Sequence, residues 1–290
     1  MRIAYHLGVH CTDDDRLVKT LLRNAAALSE HGIEVPDPGR YRGLIRDTAV
    51  QLKGNPASPD AQALVLDQIL QGAPADRMVL SWDNFLAFPN WALKGSFYKS
   101  GGERMRAIRN IFPDAQAEFH LALRNPAAWV SDLFRRQRGR DWAEFIEGTD
   151  LADLRWSDLI LALQDENPDA ALILWADEDT PLIWPEVLQT VSGHPDGMVL
   201  EGAGDLVESL MTADGLARMA GYLQTHPPQT ILQRRRVVSA FLDKFGRPEA
   251  LETPIILPGA SAELVQIMGE TYDRDLAYIA TLPGVTMINA

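Results

Sequence analysis

The 290-residue sequence contains little cysteine and comparatively little positive charge. Its one cysteine, Cys11, excludes an intrachain disulfide and any zinc site that needs several cysteines. There are 27 Lys and Arg residues against 40 Asp and Glu, which gives a formal net charge of −13 at pH 7. Because nonspecific DNA or RNA binding needs clustered Lys and Arg, we expect no nucleic-acid partner.

Long apolar runs are also missing from the sequence. We find no run of transmembrane length, and no basic segment followed by an apolar stretch of the kind that directs secretion. The sequence therefore predicts a cytoplasmic protein without a membrane partner.

Strand-like and helical patterns alternate along the chain. Apolar strand-like runs are found at 2–8, 76–82, 117–123 and 171–177, with helical patterns between them. This alternation predicts one α/β domain over residues 1–290, with a central, mostly parallel sheet flanked by helices. From about residue 203 the pattern is mainly helical, so we expect a mainly helical C-terminal portion.

The segment IAYHLGVHCTDDDRL, residues 3–17, has the layout of a phosphate-binding loop. An apolar strand runs into Gly8 and a turn, and a single helix is predicted to follow over 16–32. Such loops usually carry glycine, lysine and hydroxyl groups. This one carries Cys11 and three aspartates, which are Asp13, Asp14 and Asp15.

Three blocks in this order resemble the sulfotransferases, in particular the bacterial sulfotransferase-like branch of the P-loop fold. The first is His6–Leu17, compared with the family pattern H-x-G-x-x-K-T-G-T-[ST]-[ST]-L. The second is LSWDNF at 80–85. The third is Phe112-Pro113-Asp114, followed by a strand and LRNPAAWVSDLF at 123–134. The resemblance covers about the first half of the chain.

The resemblance implies a site for the sulfate donor 3′-phosphoadenosine-5′-phosphosulfate (PAPS). In the family, loop N–H groups and a helix N-terminus hold the phosphosulfate, and the sulfuryl group passes to an acceptor hydroxyl or amine. It also implies a carboxylate at position 83 that can act as a general base toward a carbohydrate or small-molecule acceptor. By this resemblance Gly8, Thr12 and Arg124 bind the donor, and the catalytic residue is Asp83. Arg16 and Ser131, which lie close to family positions without occupying them, complete the predicted donor-binding residues.

Several residues depart from the family pattern at both ends of the donor site. Cys11 replaces the lysine, and the three aspartates replace a glycine and two hydroxyl residues, so one positive charge is lost and three negative charges are gained. One carboxylate about 4 Å from a phosphate costs roughly 4 kcal/mol at an effective dielectric constant near 20. Asp132 stands at the family's serine position, and Ser131 is one residue early, a rotation of about 100° on a helix.

These departures favour a sulfotransferase-like protein with weakened or lost PAPS binding, which is a repurposed or non-catalytic relative. The alternative is an active PAPS-dependent sulfotransferase, and the only cofactor expected is then PAPS. The aspartates have three interpretations: they cap the helix, they accompany PAPS held by Arg16, Lys19 and Arg124, or they bind a cation. Asp83 is a base in one interpretation and a loop carboxylate in the other. No metal-binding residues are assigned.

Two arginine clusters in the sequence also have two interpretations. Each is either a solvated helix face or a surface that recognises an anionic acceptor. The clusters are Arg135, Arg136, Arg138 and Arg140, and Arg234 to Arg236.

Overall fold

The computed structural model describes residues 1–137, 139–251 and 253–290, and it confirms the predicted α/β class. The strands are β1 Arg2–His6, β2 Ile33–Glu34, β3 Arg77–Ser81, β4 Gln116–Leu123, β5 Ala171–Ala176 and β6 Val285–Met287. The helices of the first half are α1 Arg16–Arg23, α2 Ala25–Ser29, α3 Pro38–Leu52, α4 Pro59–Leu70, α5 Gly101–Arg109, α6 Pro126–Arg136 and α7 Trp142–Ile146. The remaining helices are α8 Trp156–Glu166, α9 Thr180–Ser192, α10 Asp205–Leu210, α11 Ala213–Thr225, α12 Ile231–Phe245, α13 Pro248–Leu251 and α14 Ala262–Ile279. Short 3₁₀ helices lie at Pro89–Trp91, Leu151–Asp153 and Asp177–Asp179.

The six strands form one sheet in which every pairing is parallel. Their order across the sheet is β2-β3-β1-β4-β5-β6, so the first strand of the chain lies near the centre. In this register Tyr5 of β1 lies beside Leu80 of β3 and Phe119 of β4. The predicted central parallel sheet is therefore confirmed.

Alternate residues of β1 enter two different apolar cores. Ile3 and Tyr5 face the larger core, which is covered by α3 to α8 and α14. Ala4 faces the smaller core, which is covered by α1, α2 and α9. Both faces of the strand are buried, which explains its nearly continuous apolar sequence.

Chain connections leave the sheet in opposite directions around the carboxyl end of β1. Helix α1, which follows β1, packs on the face of the smaller core, whereas α5 and α6, which follow β3 and β4, pack on the other face. Open parallel sheets bind ligands at such a divergence, in the crevice outside the carboxyl ends of the strands. The loops after β1, β3, β4 and β5 are therefore the place to look for a functional site.

The C-terminal part is mainly helical, as predicted, and includes α10 to α14. The prediction of a single helix over 16–32 is wrong, because α1 ends at Arg23 and α2 begins at Ala25. The Asn24 side chain donates hydrogen bonds to the carbonyls of Thr20 at 2.8 Å and Glu201 at 2.9 Å. The second contact joins residues far apart in sequence, so local periodicity does not reveal the break.

Within residues 1–137, 139–251 and 253–290, no helix is both long and apolar enough to cross a membrane.

Candidate functional site at the carboxyl edge of the sheet

The loop after β1 continues along β4 before it turns toward α1. Leu7 N–H donates to the His120 carbonyl at 2.9 Å, Ala122 N–H donates to the Gly8 carbonyl at 2.7 Å, and Val9 N–H donates to the Ala122 carbonyl at 3.3 Å. Residues 7–11 are all buried. The first part of this loop is therefore buried backbone that is hydrogen-bonded to β4, and the N–H groups of Leu7 and Val9 already have partners within the protein.

Gly8 is required by its backbone conformation and by a close neighbour. Its φ is +94°, which lies outside the range that side-chain-bearing residues usually adopt. A Cβ atom at this position would lie 3.2 Å from both Cα and Cβ of Asp83. The loop after β1 and the loop after β3 therefore touch at these two predicted site residues.

The three aspartates of the loop have three separate partners. Asp13 accepts a hydrogen bond from the Leu17 N–H at 2.9 Å and so caps the start of α1. Asp14 lies 2.8 Å from the Arg136 guanidinium. Asp15 receives two hydrogen bonds from the Arg42 guanidinium, at 2.6 and 3.2 Å.

Arg42 of α3, the partner of Asp15, was not predicted from the sequence to be a site residue. It also donates to the Ser81 carbonyl, from Nε at 3.1 Å and from Nη2 at 2.9 Å. Arg42 therefore connects the start of α1 with the carboxyl end of β3. It lies 27 positions from Asp15, and no local motif marks the pair.

Two predicted donor-binding residues near the loop are directed toward protein groups. The Thr12 hydroxyl donates to the Val9 carbonyl at 2.7 Å. Arg16 Nη1 donates to the Ser209 hydroxyl at 3.2 Å, so its guanidinium is directed toward α10. Lys19 donates from its ammonium group to the Asp14 carbonyl at 3.2 Å.

Arg124 lies where β4 ends and has three acceptors around its guanidinium. Nη1 lies 2.8 Å from Oδ2 of Asp132 and also donates to the Cys11 carbonyl. Nε lies 3.7 Å from Oδ2 of Asp177. Arg124, the residue predicted to bind the 3′-phosphate, therefore already lies beside two carboxylates of its own chain.

Ser131, the other residue predicted at the 3′-phosphate end, is fully buried in α6. Its hydroxyl accepts a hydrogen bond from the Ile256 N–H at 2.9 Å. Ser131 thus contacts the segment before α14, and the structure does not bring its hydroxyl together with the Arg124 guanidinium in a hydrogen bond.

Asp177 is the second site residue that the sequence analysis missed. It directly follows β5, and burial raises the pKa of its carboxyl group to about 7, although the nearby Arg124 guanidinium acts to lower it. Strongly shifted pKa values of this kind are concentrated at functional sites. The position of an aspartate immediately after the strand ALILWA was the available signal.

Asp83 is held by a hydrogen-bonded chain of three further side chains. Asn84 Nδ2 donates to Oδ1 of Asp83 at 3.0 Å, which directs the Asn84 oxygen toward Nε2 of His10 at 3.2 Å. Nδ1 of His10 lies 2.6 Å from the Tyr98 hydroxyl. We call Asp83, Asn84, His10 and Tyr98 the Asp83 chain.

The direction of each hydrogen bond in the Asp83 chain follows from chemistry. An ionised carboxylate only accepts, so the Asn84 amide donates to Asp83 and its oxygen must accept from His10. Burial lowers the pKa of His10 and favours a neutral ring, which then carries its proton on Nε2. Nδ1 is left to accept from Tyr98, whose oxygen in turn accepts from the His10 backbone N–H at 3.0 Å.

Cys11 replaces the lysine expected from the sulfotransferase pattern and is only 3% exposed. Burial raises the pKa of its thiol to about 11, although Arg136 and Arg124 act to lower it. The thiol is therefore protonated at neutral pH, and neither a nucleophile nor a positive charge is present at this position.

The arginine clusters are engaged in several ion pairs. Arg135 pairs with Asp132, Arg136 with Asp14, and both Arg234 and Arg235 with Glu186. Arg138 lies outside the described residues. In the described part of the chain, no group of three or more His, Cys, Asp or Glu side chains is arranged to hold a metal ion.

No protein-family model, no curated protein and no solved structure matches this chain.

Proposed function

We propose that this chain is a sulfotransferase-like protein of the P-loop fold that has lost PAPS binding and serves a repurposed, non-catalytic role. One observation carries the proposal. The charged groups expected at the two ends of the donor site are matched by groups of the chain itself. Asp13 caps α1, Asp14 and Asp15 pair with arginines, and Arg124 pairs with Asp132.

The residues present do not fit PAPS. Arg124 would have to leave the Asp132 carboxylate, 2.8 Å away, before it could bind a phosphate, and that carboxylate would remain beside the ligand. At the other end, a phosphosulfate would approach three carboxylates without the family lysine. One such contact at about 4 Å costs roughly 4 kcal/mol at an effective dielectric constant near 20.

The strand order of the sheet is consistent with the proposal, but it is weaker support than the pairing of charges, because other folds share it. Its order places β1 between β3 and β4, and the loop after β1 leads directly into α1. Many α/β folds have such a loop, so the family assignment depends on the three sequence blocks. The proposed loss of PAPS binding is supported by the pairing of the charged side chains with one another.

Titration calorimetry with adenosine 3′,5′-bisphosphate, the desulfated product of PAPS, tests the loss of donor binding. We expect no saturable heat and no rise in melting temperature at about 1 mM ligand, because a ligand that binds only the folded state must raise its stability. Saturable binding at micromolar concentration would refute the proposal.

A double variant tests whether the loop keeps an inherited geometry. Cys11→Lys with Asp13→Gly returns two family residues and adds two units of positive charge, and we expect it to gain affinity for the same nucleotide. The control is Asp169→Ser with Asp214→Ser, which makes the same charge change at exposed positions away from the loop. An equal gain in the control would show a general charge effect and would count against an inherited site.

The alternative function is an active PAPS-dependent sulfotransferase with Asp83 as the base. The Asp83 chain favours it, because a half-buried carboxylate oriented by three side chains suits proton acceptance. Incubation with radiolabelled PAPS and carbohydrate or small-molecule alcohols distinguishes the two functions. Transfer that disappears in Asp83→Asn would establish the alternative and overturn the main proposal.

A further inference from the structure

A pocket of about 260 Å³ lies between α3 and α5, beside the segment that follows β3. Its floor and sides are mainly apolar and include the rings of Trp82, Phe85 and Phe88. The Trp82 ring meets the other two edge-on, with ring centroids 5.6 Å from Phe85 and 6.0 Å from Phe88. These contacts fix the aromatic wall before any ligand arrives.

Two arginines line this pocket: Arg46 of α3 is paired with Asp47 at 2.8 Å, and Arg104 of α5 lies in the apolar wall. Its Nε donates to the Phe85 carbonyl at 3.1 Å and its Nη2 to the Asn84 carbonyl at 3.4 Å. The guanidinium carbon lies 5.9 Å from the centroid of the Phe88 ring, close enough for a cation–π contact. The orientation of the side chain is therefore fixed by two carbonyls and a ring.

Arg104 differs from the arginines of the carboxyl edge, since no acidic partner neutralises it. Among the described residues no carboxylate oxygen lies within 4 Å of its guanidinium, whereas Arg42 and Arg124 both have one. Burial lowers the pKa of Arg104, which reflects a cation in poorly solvated surroundings. In a chain with 40 acidic residues, a half-buried cation without an anion is a natural recognition group.

We propose that this pocket binds a small organic carboxylate with a planar apolar body, such as an aromatic acid. The apolar body would lie against Trp82, Phe85 and Phe88, and the carboxylate would meet the free edge of the Arg104 guanidinium.

The size and charge of the pocket select this ligand class. Its volume is just below the range of about 300–1,000 Å³ that is typical of drug-sized ligands, so the ligand has one or two rings. Because Arg46 is already paired with Asp47, one guanidinium without an acidic partner remains, and it suits a monoanion. A phosphate dianion would need more donors, and the protein's net charge of −13 opposes it. The inference does not depend on the proposed loss of PAPS binding, because this pocket is lined by other residues than Arg124 or the three loop aspartates.

Titration calorimetry with 2-naphthoate, in the absence of nucleotide, tests the proposal. We expect saturable binding of one ligand per chain, and binding at least about tenfold weaker for 2-naphthalenemethanol, which has the same ring system without the charge. Equal affinity for the acid and the alcohol, or no saturable binding of the acid at millimolar concentration, would overturn it.

Two variants locate the site, and one control accompanies them. Arg104→Gln should weaken naphthoate binding about tenfold or more, and Ala107→Phe should block it by filling the pocket from α5. Arg106→Gln removes the same charge from an exposed position of the same helix and should bind like the wild type. If Arg104→Gln and Ala107→Phe, each with a wild-type melting temperature, retain full affinity, the ligand binds elsewhere and the proposal is wrong. Should Arg104→Gln not fold, Ala107→Phe and the comparison of acid with alcohol still decide the question.

Discussion

Arg124 and Asp132 form an ion pair at 2.8 Å, and the side chains are only 15% and 12% exposed. By resemblance, the first residue would hold the 3′-phosphate of the sulfate donor, and the second stands where the family has a serine. The carboxylate thus supplies, within the chain, the kind of negative charge that the arginine would otherwise take from the ligand. An arginine is also paired with a carboxylate of the chain at the other end of the predicted donor site, where Arg42 binds Asp15.

We predict that Arg124→Gln destabilises the fold by about 2 kcal/mol, because it removes the cation beside Asp177 and leaves Asp132 paired only with the more exposed Arg135. Urea unfolding followed by far-ultraviolet circular dichroism measures the change. The control is Arg218→Gln, which breaks an exposed pair with Asp214 on α11 and should change the free energy of unfolding by less than about 0.5 kcal/mol. Equal effects of the two substitutions would mean that the Arg124 pairs contribute no more than a surface contact.

Neighbouring aspartates of the loop should differ in their contributions to stability. Asp13→Ala removes the side-chain cap on Leu17 N–H, and we expect a loss of about 1 kcal/mol. Asp14→Asn removes the same charge, keeps a residue type that tolerates the left-handed backbone at this position (φ 50°), and breaks only an exposed pair with Arg136, so the loss should stay below about 0.5 kcal/mol. Chemical denaturation of both variants makes the comparison. If Asp14→Asn proves the more damaging, the loop is organised by its ion pair and not by the cap.

The strands were predictable from the sequence because β1, β3, β4 and β5 are short apolar runs with both faces buried. The two-residue strand β2 was not predicted, because Ile33 and Glu34 carry too short a pattern to distinguish from a turn. The sequence shows that the three aspartates are unusual in such a loop, and helix capping is one of the interpretations that it allows. Their arginine partners were not predicted, since pairs such as Asp15 with Arg42 are set by the packing of α3 against the sheet.

Asp177 should make stability depend on pH. Its folded-state pKa of about 7 is raised above the value of about 3.9 for an unfolded aspartate, so its favourable contribution is complete below pH 4 and is lost as the pH rises through 7. Asp177→Asn removes this titration. We expect the stability of the variant relative to the wild type to increase by about 1 kcal/mol between pH 6 and pH 8. Urea titrations of the wild type and the variant at pH 6 and pH 8 measure the difference in stability. Both pH values lie above the isoelectric point of about 4.9. A relative stability that is constant or decreases over this range would show that Asp177 is already ionised at pH 6.

The Asp83 chain should depend on the hydroxyl of Tyr98. Tyr98 is 1% exposed, and its oxygen contacts both the backbone N–H and Nδ1 of His10. Tyr98→Phe leaves both groups buried without that partner, so we expect a loss of about 2 kcal/mol in the free energy of unfolding. The exposed Tyr222→Phe serves as the control and should change little.

A spectroscopic readout separates the hydrogen-bonded chain from general packing. In the wild type, the ¹⁵N shifts of the His10 ring should report a neutral ring with its proton on Nε2, assigned by comparison with His10→Gln. In Tyr98→Phe, Nδ1 loses its donor, and the shifts should move toward a mixture of both tautomers, because only the Asn84 contact then favours one of them. Unchanged shifts in a folded Tyr98→Phe would mean that Asn84 alone fixes the tautomer, and that Tyr98 is not needed to orient the residues that hold Asp83.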